Sequence, residues 1–463
     1  MNALLVAWSL GILLFGGWGA GTLLMPGQKS LAEMAAHAWL LGGLIISLAL
    51  ALFGTVLSGD SLLGAVTIVS LILGLLGLRR YLHQRGQERP AVEWPLPVGW
   101  LEWMLCAVIA CQCILLLRFA WTTAIGWDGL MVWESKARIA FSNGGRLPVA
   151  YFPDVTRVWT HSNYPLMIPL IETWVYLWLG ACNQFWVRVI FPFFYFAALI
   201  LLYSGAAQVS GRRWVGLLTA SLLFFVPFVT VSDYNVFTGY ADFPLAVFYL
   251  AAVVYLIRFA RDPAHSWFAL FAVYAGALPW IKQEGTFLWL FAMLVAAVEF
   301  VRKAKPRLIV LTALPGIIVI VGWKVALHWL QAIQSQDYLP ITAANVIHNA
   351  PRIGTIADAV VLELCTVSSW SLLWIILPIA LLWVWIEEDR GLCLTLAGVI
   401  FIPLGFYSGI YVLSSWNPFQ NHIACSLPRL VSGLSLVAVL TLGLGISALA
   451  KRKIGLPKKY TEV

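Results

Sequence analysis

Charge is scarce in this 463-residue chain: Asp, Glu, Lys and Arg make up 11% of it, whereas 61% of the residues are hydrophobic. The mean hydropathy is +0.87. A charged side chain at the centre of a membrane helix costs about 2.5–3.5 kcal/mol. The scarcity of charge is therefore typical of a chain embedded in lipid and argues against a set of soluble domains.

Apolar runs recur along the whole sequence, and each is close to the length of about 20 residues that crosses a bilayer as a helix. Only helices and closed barrels satisfy the backbone in lipid, and apolar runs without alternation exclude a barrel. The sequence therefore predicts an all-α polytopic membrane protein.

Other signals are also missing. The formal net charge of +8 does not indicate nucleic-acid binding, because the basic residues stand in short clusters at helix ends. Seven cysteines make an odd number and lack metal-ligand spacing. No internal repeat or low-complexity segment is evident. Function is therefore to be sought in the few charged residues at the membrane boundary.

The apolar runs predict about thirteen spans, near 4–25, 38–57, 61–78, 100–124, 185–207, 214–231, 242–259, 266–281, 285–301, 308–329, 368–386, 391–413 and 428–450. Clusters of Arg and Lys mark cytoplasmic loops and place the N-terminus outside. A further run, 164–180, is short, contains proline and carries Glu172. We predict that it lies at, or dips into, the outer surface without crossing. The outer loops are then 125–184, 232–241, 282–284, 331–367 and 414–427.

Three parts are expected along the chain. Residues 1–99 form a three-span appendage with a basic cytoplasmic linker, and 100–330 form a core that includes the first outer loop. Residues 331–463 supply a late outer loop and the C-terminal spans. This topology predicts a site on the outer face of the cytoplasmic membrane, toward the periplasm or cell exterior.

The first outer loop carries an acidic, aromatic stretch over residues 126–138. Glu134 and Arg138 form an i,i+4 ion pair on one flank of its helix. Lys136 projects about 200° away from Glu134 and is not used by that pair. It either holds a phosphate as a point charge or snorkels from a surface helix. The apolar face that an interfacial helix requires is shared by Leu130, Trp133, Ala137 and Phe141.

Three outer turns each present a carboxylate beside aromatic residues. Asp128 precedes the first-loop helix, either as its N-cap or as a base that needs a cleft and a partner. Asp242 opens a span at the lipid boundary, and Glu284 lies in a charged turn with Lys282. Three such turns on one side predict a shared cavity.

The first loop also holds His161 and Tyr164. His161 is a candidate metal ligand or acid/base, but a lone His without i+3 or i+4 ligands is typical of a hydrogen-bonding surface residue. Interfacial belts explain most of the 24 tryptophans. Four of them lie near the acidic stretch and have stacking on sugar rings as an alternative use: Trp121, Trp127, Trp133 and Trp159.

Four motifs follow one another in the predicted outer loops: Trp127-Asp128-x5-Glu134-x-Lys136-Ala137-Arg138, Asn163-Tyr164-Pro165-Leu166, Gly239-Tyr240-Ala241-Asp242 and Lys282-Gln283-Glu284-Gly285. Together they resemble the GT-C glycosyltransferases, which include protein O-mannosyltransferases, the lipid A aminoarabinose transferase and oligosaccharyltransferases. The resemblance covers about residues 100–300 and depends on the order and outer placement of the motifs.

The resemblance implies an inverting enzyme that transfers a sugar from a polyprenyl-phosphate donor to a lipid, glycan or protein acceptor. It makes Asp128 the base and matches Asp242 to the acid of the second loop. The Asp-x-Asp form of metal-dependent relatives is absent, so a Mg or Mn cofactor has no support and no metal ligands are assigned. Lys136 matches a phosphate-binding position, with Arg138 or Arg429 as helpers.

The candidate catalytic residues are thus Asp128, Asp242 and Glu284. The candidate substrate-binding residues are Trp133, Glu134, Lys136, Arg138, His161, Tyr164, Tyr240 and Lys282.

Two other function classes stay open beside a non-catalytic scaffold. A transporter or flippase places ionisable residues at the membrane midplane and often has two-fold repeats, whereas the acids here lie in loops and at span ends. A lipid-linked glycan ligase or polymerase would use basic and His residues of a late outer loop, where His348 and Arg352 lie.

Overall fold

The computed structural model describes residues 1–25, 30–85, 97–263, 265–334 and 336–454. The first half contains α1 (Asn2–Leu24), α2 (Leu31–Phe53), α3 (Gly59–Arg85), α4 (Trp100–Thr122), α5 (Ser135–Ser142), α6 (Met167–Leu179), α7 (Gln184–Val187), α8 (Ile190–Ser210), α9 (Arg213–Leu222) and α10 (Pro227–Thr230). The second half contains α11 (Asp242–Arg261), α12 (His265–Ile281), α13 (Glu284–Arg302), α14 (Arg307–Trp329), α15 (Ala343–Asn349), α16 (Ile353–Leu364), α17 (Val367–Trp370), α18 (Leu373–Glu387), α19 (Arg390–Ile410) and α20 (Phe419–Ile454). The described part of the chain is therefore built from helices.

Ten helices in the described ranges are long and apolar enough to cross a membrane, and each coincides with a predicted span: α1–α4, α8, α11, α13, α14, α19 and α20. The other three predicted spans correspond to shorter apolar helices, Arg213–Phe225, Trp267–Ile281 and Leu373–Glu387. The first ends just before Pro227, and the other two contain Pro279 and Pro378, where a backbone donor is lost. An all-α polytopic membrane protein is confirmed, and thirteen spans stay a prediction.

The loops assigned to the outside by the basic clusters meet at one end of the helix bundle. The Gly126 backbone N–H donates to the Thr238 carbonyl over 2.8 Å, which joins loops one and two. The Ser162 hydroxyl donates to the Ile333 carbonyl over 3.5 Å, which joins the first loop to residues 331–367. The Ser415 N–H donates to the Asp337 carbonyl over 3.0 Å, which joins residues 414–427 to residues 331–367. We call the end of the bundle where these loops meet the loop-rich end.

Helix α6 begins and ends at the loop-rich end. The segment before it reaches Ile333, and Gln184 after it donates to Glu134 over 2.8 Å. Its 13 residues extend about 20 Å, less than the roughly 30 Å of a hydrocarbon core. It does not lie on the surface, because it packs against α1, α2 and α5. The Trp174 indole also donates to the Ser9 carbonyl of α1 over 3.0 Å.

The three N-terminal helices pack closely through glycine and continue into the core. A Cβ on Gly17 would lie 2.1 Å from the Ala38 carbonyl oxygen, so α1 and α2 approach more closely there than any larger residue permits. Helix α2 then packs on α6 and α8. Its buried His37 bonds to Tyr255, over 2.7 Å, and to Tyr274. The N-terminal part is therefore held against the helices that carry the site.

Candidate functional site

Two glycines allow the first loop to lie against the second. A Cβ on Gly129 would lie 2.2 Å from the Thr238 carbonyl oxygen, and Gly239 has a positive φ of 83°. The backbone N–H of Asp128 then donates to the Tyr240 hydroxyl over 3.3 Å. The close approach of the two backbones therefore positions the Asp128 side chain.

The first-loop helix starts with a π-helical segment, Gly129–Glu134, and continues as α5. Asp128 precedes it but makes no side-chain cap hydrogen bond, so the N-cap alternative does not describe its carboxylate. The helix is also largely buried, with Trp133 and Ala137 both 0% exposed. Most of it is packed into the protein, and its exposed residues, Arg138 and Ser142, lie on one polar flank. π-helical turns are frequent at functional sites.

Arg429 of α20 joins the acids of the first two loops. Its guanidinium lies 2.7 Å from the Asp128 carboxylate and 3.1 Å from the Asp242 carboxylate. A second nitrogen reaches Asp242 at 3.3 Å, and the guanidinium stacks over the Tyr240 ring at 4.9 Å. Two nitrogens of the guanidinium thus share one oxygen of Asp242 while the third holds Asp128, an arrangement that the several donors of a planar guanidinium allow and a single ammonium does not.

Lys282 extends the same set of charges to the third turn. Its ammonium lies 2.7 Å from Asp242 and 3.0 Å from Glu284. Asp242 and Lys282 are buried, whereas the side chains of Asp128 and Glu284 keep 26% and 23% of their exposure. The three acidic turns thus meet in one array, Asp128–Arg429–Asp242–Lys282–Glu284, which we call the charge network.

Glu134 and Arg138 form the ion pair predicted for them, with 2.7 Å between Nε and Oε1. Glu134 also accepts from the Tyr176 hydroxyl over 2.6 Å and from Gln184 over 2.8 Å. Its side chain is 1% exposed, whereas Arg138 is 45% exposed. Both carboxylate oxygens are thus occupied by protein donors, so Glu134 ties the π-helical segment to α5, α6 and α7 and does not face the charge network.

Lys136 is fully buried, and its ammonium has no hydrogen-bond partner in the described part of the chain. Its Nζ lies 5.3 Å from the centre of the Trp133 ring and 5.6 Å from that of Tyr164. Burial lowers the pKa of Lys136 to about 7, against the opposing effect of the Asp128 charge. The snorkelling alternative is therefore wrong, because this ammonium does not reach water.

His161 and Tyr164 continue the wall beside Lys136. His161 has a left-handed backbone, with φ 50° and ψ 67°, and ends the 3-10 helix Val155–Thr160. Its ring stacks on Tyr164 with 4.6 Å between the centres, and its Nδ1 is buried without a hydrogen-bond partner in the described ranges. Burial lowers the pKa of His161, although the nearby Asp337 charge opposes this. We call Trp133, Lys136, His161 and Tyr164 the aromatic cluster.

Other candidates lie apart from these groups. Trp133 belongs to the aromatic cluster, but the other three tryptophans near the acidic stretch are largely exposed: Trp121, Trp127 and Trp159. His348 is exposed as well. Arg352 donates to the carbonyls of Val412 and Ser414 over 3.4 and 2.8 Å. The two late-loop residues that the ligase alternative relies on therefore do not meet in the site.

Two site residues were underestimated from the sequence. Arg429 entered only as a helper, although it is the single Asp, Glu, Lys or Arg between Phe419 and Ala450, and an ionisable residue inside an apolar helix is itself a functional signal. Asp337 is the other. It accepts from the Trp416 indole over 3.0 Å, and no local motif marks it.

Comparison of this chain with known protein families, with curated proteins and with solved structures finds no match. The chemistry of the site therefore follows from its own residues. These supply the partly exposed Asp128 carboxylate, a guanidinium that holds it, and a buried amine that has no hydrogen-bond partner in the described ranges. Such a set can remove a proton from one reactant and bind negative charge on another.

Proposed function

We propose that this protein is a membrane glycosyltransferase that moves a sugar from a polyprenyl-phosphate donor to an acceptor hydroxyl on the outer face of the cytoplasmic membrane. The observation that carries the proposal is the buried Lys136, whose ammonium has no hydrogen-bond partner among the described residues and lies in electrostatic reach of Asp128. It combines with the order of motifs that resembles the GT-C enzymes.

Asp128 is the best placed base among the three acids. Asp242 has both carboxylate oxygens engaged, one by Lys282 and one by Arg429, and is buried. Asp128 is bound through Oδ2 by Arg429 and keeps 26% of its side-chain exposure, so a reactant can approach it. Glu284 has Oε1 on Lys282 and its Oε2 is buried without a hydrogen-bond partner in the described ranges, so its carboxylate is less open to a reactant.

The reaction balances with these groups alone. The acceptor oxygen attacks the anomeric carbon, its proton passes to Asp128, and the bond from that carbon to the phosphate oxygen breaks. The phosphate diester becomes a monoester and gains negative charge as it leaves. A cation beside it is worth most in a site that excludes water. Lys136, protonated when the phosphate binds, supplies that cation.

The position of the site suits a lipid donor. Asp242 is the first residue of the membrane helix α11, Glu284 the first residue of α13, and Arg429 lies in α20. A donor whose prenyl chain stays in the bilayer can thus present its phosphate at this depth. A soluble nucleotide sugar would gain nothing from such a location.

The test is transfer or release of label by the purified protein from a panel of radiolabelled undecaprenyl-phosphate sugars. We expect at least one donor to release or transfer its sugar, and Asp128→Asn to abolish this. The matched control is Asp233→Asn, which changes an exposed acid of the second loop. Failure of every donor, or full activity of Asp128→Asn, would count against the proposal. Movement of intact donor across proteoliposome membranes would instead favour a flippase.

A further inference from the structure

The aromatic cluster contains polar atoms that no described residue satisfies. Lys136 Nζ, His161 Nδ1 and Trp133 Nε1 are all buried and lack a hydrogen-bond partner among the described residues. Native proteins pair nearly all of their buried polar groups. Three unpaired atoms around one pair of stacked rings therefore indicate a ligand that supplies the missing partners.

The backbone at His161 supports the same conclusion. A left-handed conformation is unfavourable for any residue with a Cβ, and Gly or Asn would occupy it at less cost. Strained residues of this kind persist where the rest of the structure holds them, often at binding sites. The strain turns the chain after Thr160 and sets the imidazole on the Tyr164 ring, 4.6 Å away.

The chemistry of the aromatic cluster is mixed. The stacked rings of His161 and Tyr164 offer an apolar surface, and the His161 Nδ1 offers one neutral hydrogen-bonding atom. The amine of Lys136 lies over the Tyr164 ring, 5.6 Å from its centre. A hydroxylated ring with an anionic substituent matches this arrangement: its C–H face packs on the aromatic pair, a hydroxyl meets His161, and the anion meets Lys136.

We propose that His161 and Tyr164 form the platform that binds the sugar ring of the donor, separate from the Lys136 position that binds its phosphate. The inference rests on the proposed function, because it divides one donor between two neighbouring groups. His161 is thus a specificity residue for the glycosylated lipid and does not contribute to binding of the lipid phosphate.

The experiment compares the binding of two probes to the purified full chain, undecaprenyl phosphate and the undecaprenyl-phosphate sugar that is most active in the panel. We expect the wild type to bind the glycosylated lipid about tenfold more tightly, the worth of one hydrogen bond and a ring contact. His161→Gly removes the ring but keeps the left-handed backbone. It should abolish the preference and leave binding of undecaprenyl phosphate unchanged.

Three further variants serve as controls for the effect of His161→Gly. His161→Asn, which also tolerates the backbone and keeps a polar side chain, should retain part of the preference. Trp159→Ala, an exposed residue two positions earlier, should retain all of it. Lys136→Met should weaken both lipids equally.

Several results would overturn the inference. A preference that survives in His161→Gly would remove His161 from the sugar platform, and so would equal weakening of both lipids by that variant. If the wild type transfers sugar yet binds the two lipids equally, the sugar platform is contradicted and the proposed function is still supported. If the wild type binds neither lipid and transfers nothing, the proposed function fails and this inference falls with it.

Discussion

Arg429 lies 2.7 Å from Asp128 and so connects the last membrane helix to the first loop. The same guanidinium holds the buried Asp242 at 3.1 Å. One side chain therefore fixes two of the three candidate catalytic acids, and its removal leaves Asp242 with Lys282 as its one remaining ion-pair partner among the described residues.

Arg429→Gln should destabilise the protein by about 3–5 kcal/mol, the usual cost of breaking a buried ion pair by deleting one partner. Thermal unfolding in detergent measures this. The matched control is Arg452→Gln near the other end of the same helix, where the side chain is exposed. Equal unfolding temperatures for the two variants would show that Arg429 is not needed to hold the charge network together.

Asp128→Asn should lower the rate of sugar transfer by about 10²–10⁴-fold, as expected for loss of a general base. Donor binding should change little, because the amide keeps the shape of the carboxylate. Single-turnover transfer and equilibrium binding of the donor separate the two effects. A variant that loses donor binding and rate together would assign Asp128 to substrate binding.

Donor affinity should depend on pH through Lys136. Its pKa in the free protein is about 7, and an anionic phosphate raises it, so binding takes up a proton. Affinity should then fall about tenfold for each pH unit above about 7. Burial keeps the pKa of His161 low, so this imidazole adds no charge over that range.

Lys136→Arg tests the origin of that slope, because Arg stays protonated throughout. We expect the variant to bind the donor with an affinity that no longer falls above neutral pH. A slope that persists in Lys136→Arg would assign the titration to another group.

The stability of the free protein should change with pH in the opposite sense. The pKa of Lys136 falls from 10.5 to about 7 on folding. The unfolded chain therefore binds more protons between these values, and stability rises with pH across that window. Denaturant unfolding of wild type and Lys136→Met at pH 7 and pH 9 should show a rise in the wild type that the variant lacks.

Gly129→Ala should destabilise the site because the new methyl group would lie 2.2 Å from the Thr238 carbonyl oxygen. The expected cost is about 1–3 kcal/mol, as for other overpacked positions, together with lower transfer activity. Gly354→Ala is the control, since no atom of the described residues lies within 4 Å of a Cβ there. Wild-type stability and activity in Gly129→Ala would mean that the two loops separate freely.

The path of α6 can be tested with thiol labels in a background that lacks the other cysteines. Cys182 follows α6 and is exposed, and Val155 precedes α6 and is also exposed. Cys182 and a cysteine introduced by Val155→Cys should both react with an impermeant maleimide from the same side of the membrane. Arg452→Cys should react from the other side. Labelling of positions 155 and 182 from opposite sides would show that α6 crosses the membrane.

The sequence alone determined the membrane-embedded helical fold and the grouping of the acidic turns at one end. Both follow from local properties, namely the length of apolar runs, the cost of charge in lipid and the sidedness of basic clusters. The ion pair of Glu134 with Arg138 is also local, because four residues make one helical turn.

The folded structure was needed to show which charged side chains are paired within the protein and which remain available to a ligand. Glu134 is occupied by Tyr176 and Gln184, and Asp242 by Arg429 and Lys282. Lys136 is left without a hydrogen-bond partner in the described part of the chain. These outcomes depend on contacts between distant segments, and neither the spacing nor the composition of a segment encodes its burial. The altered pKa of Lys136 is a consequence of that burial.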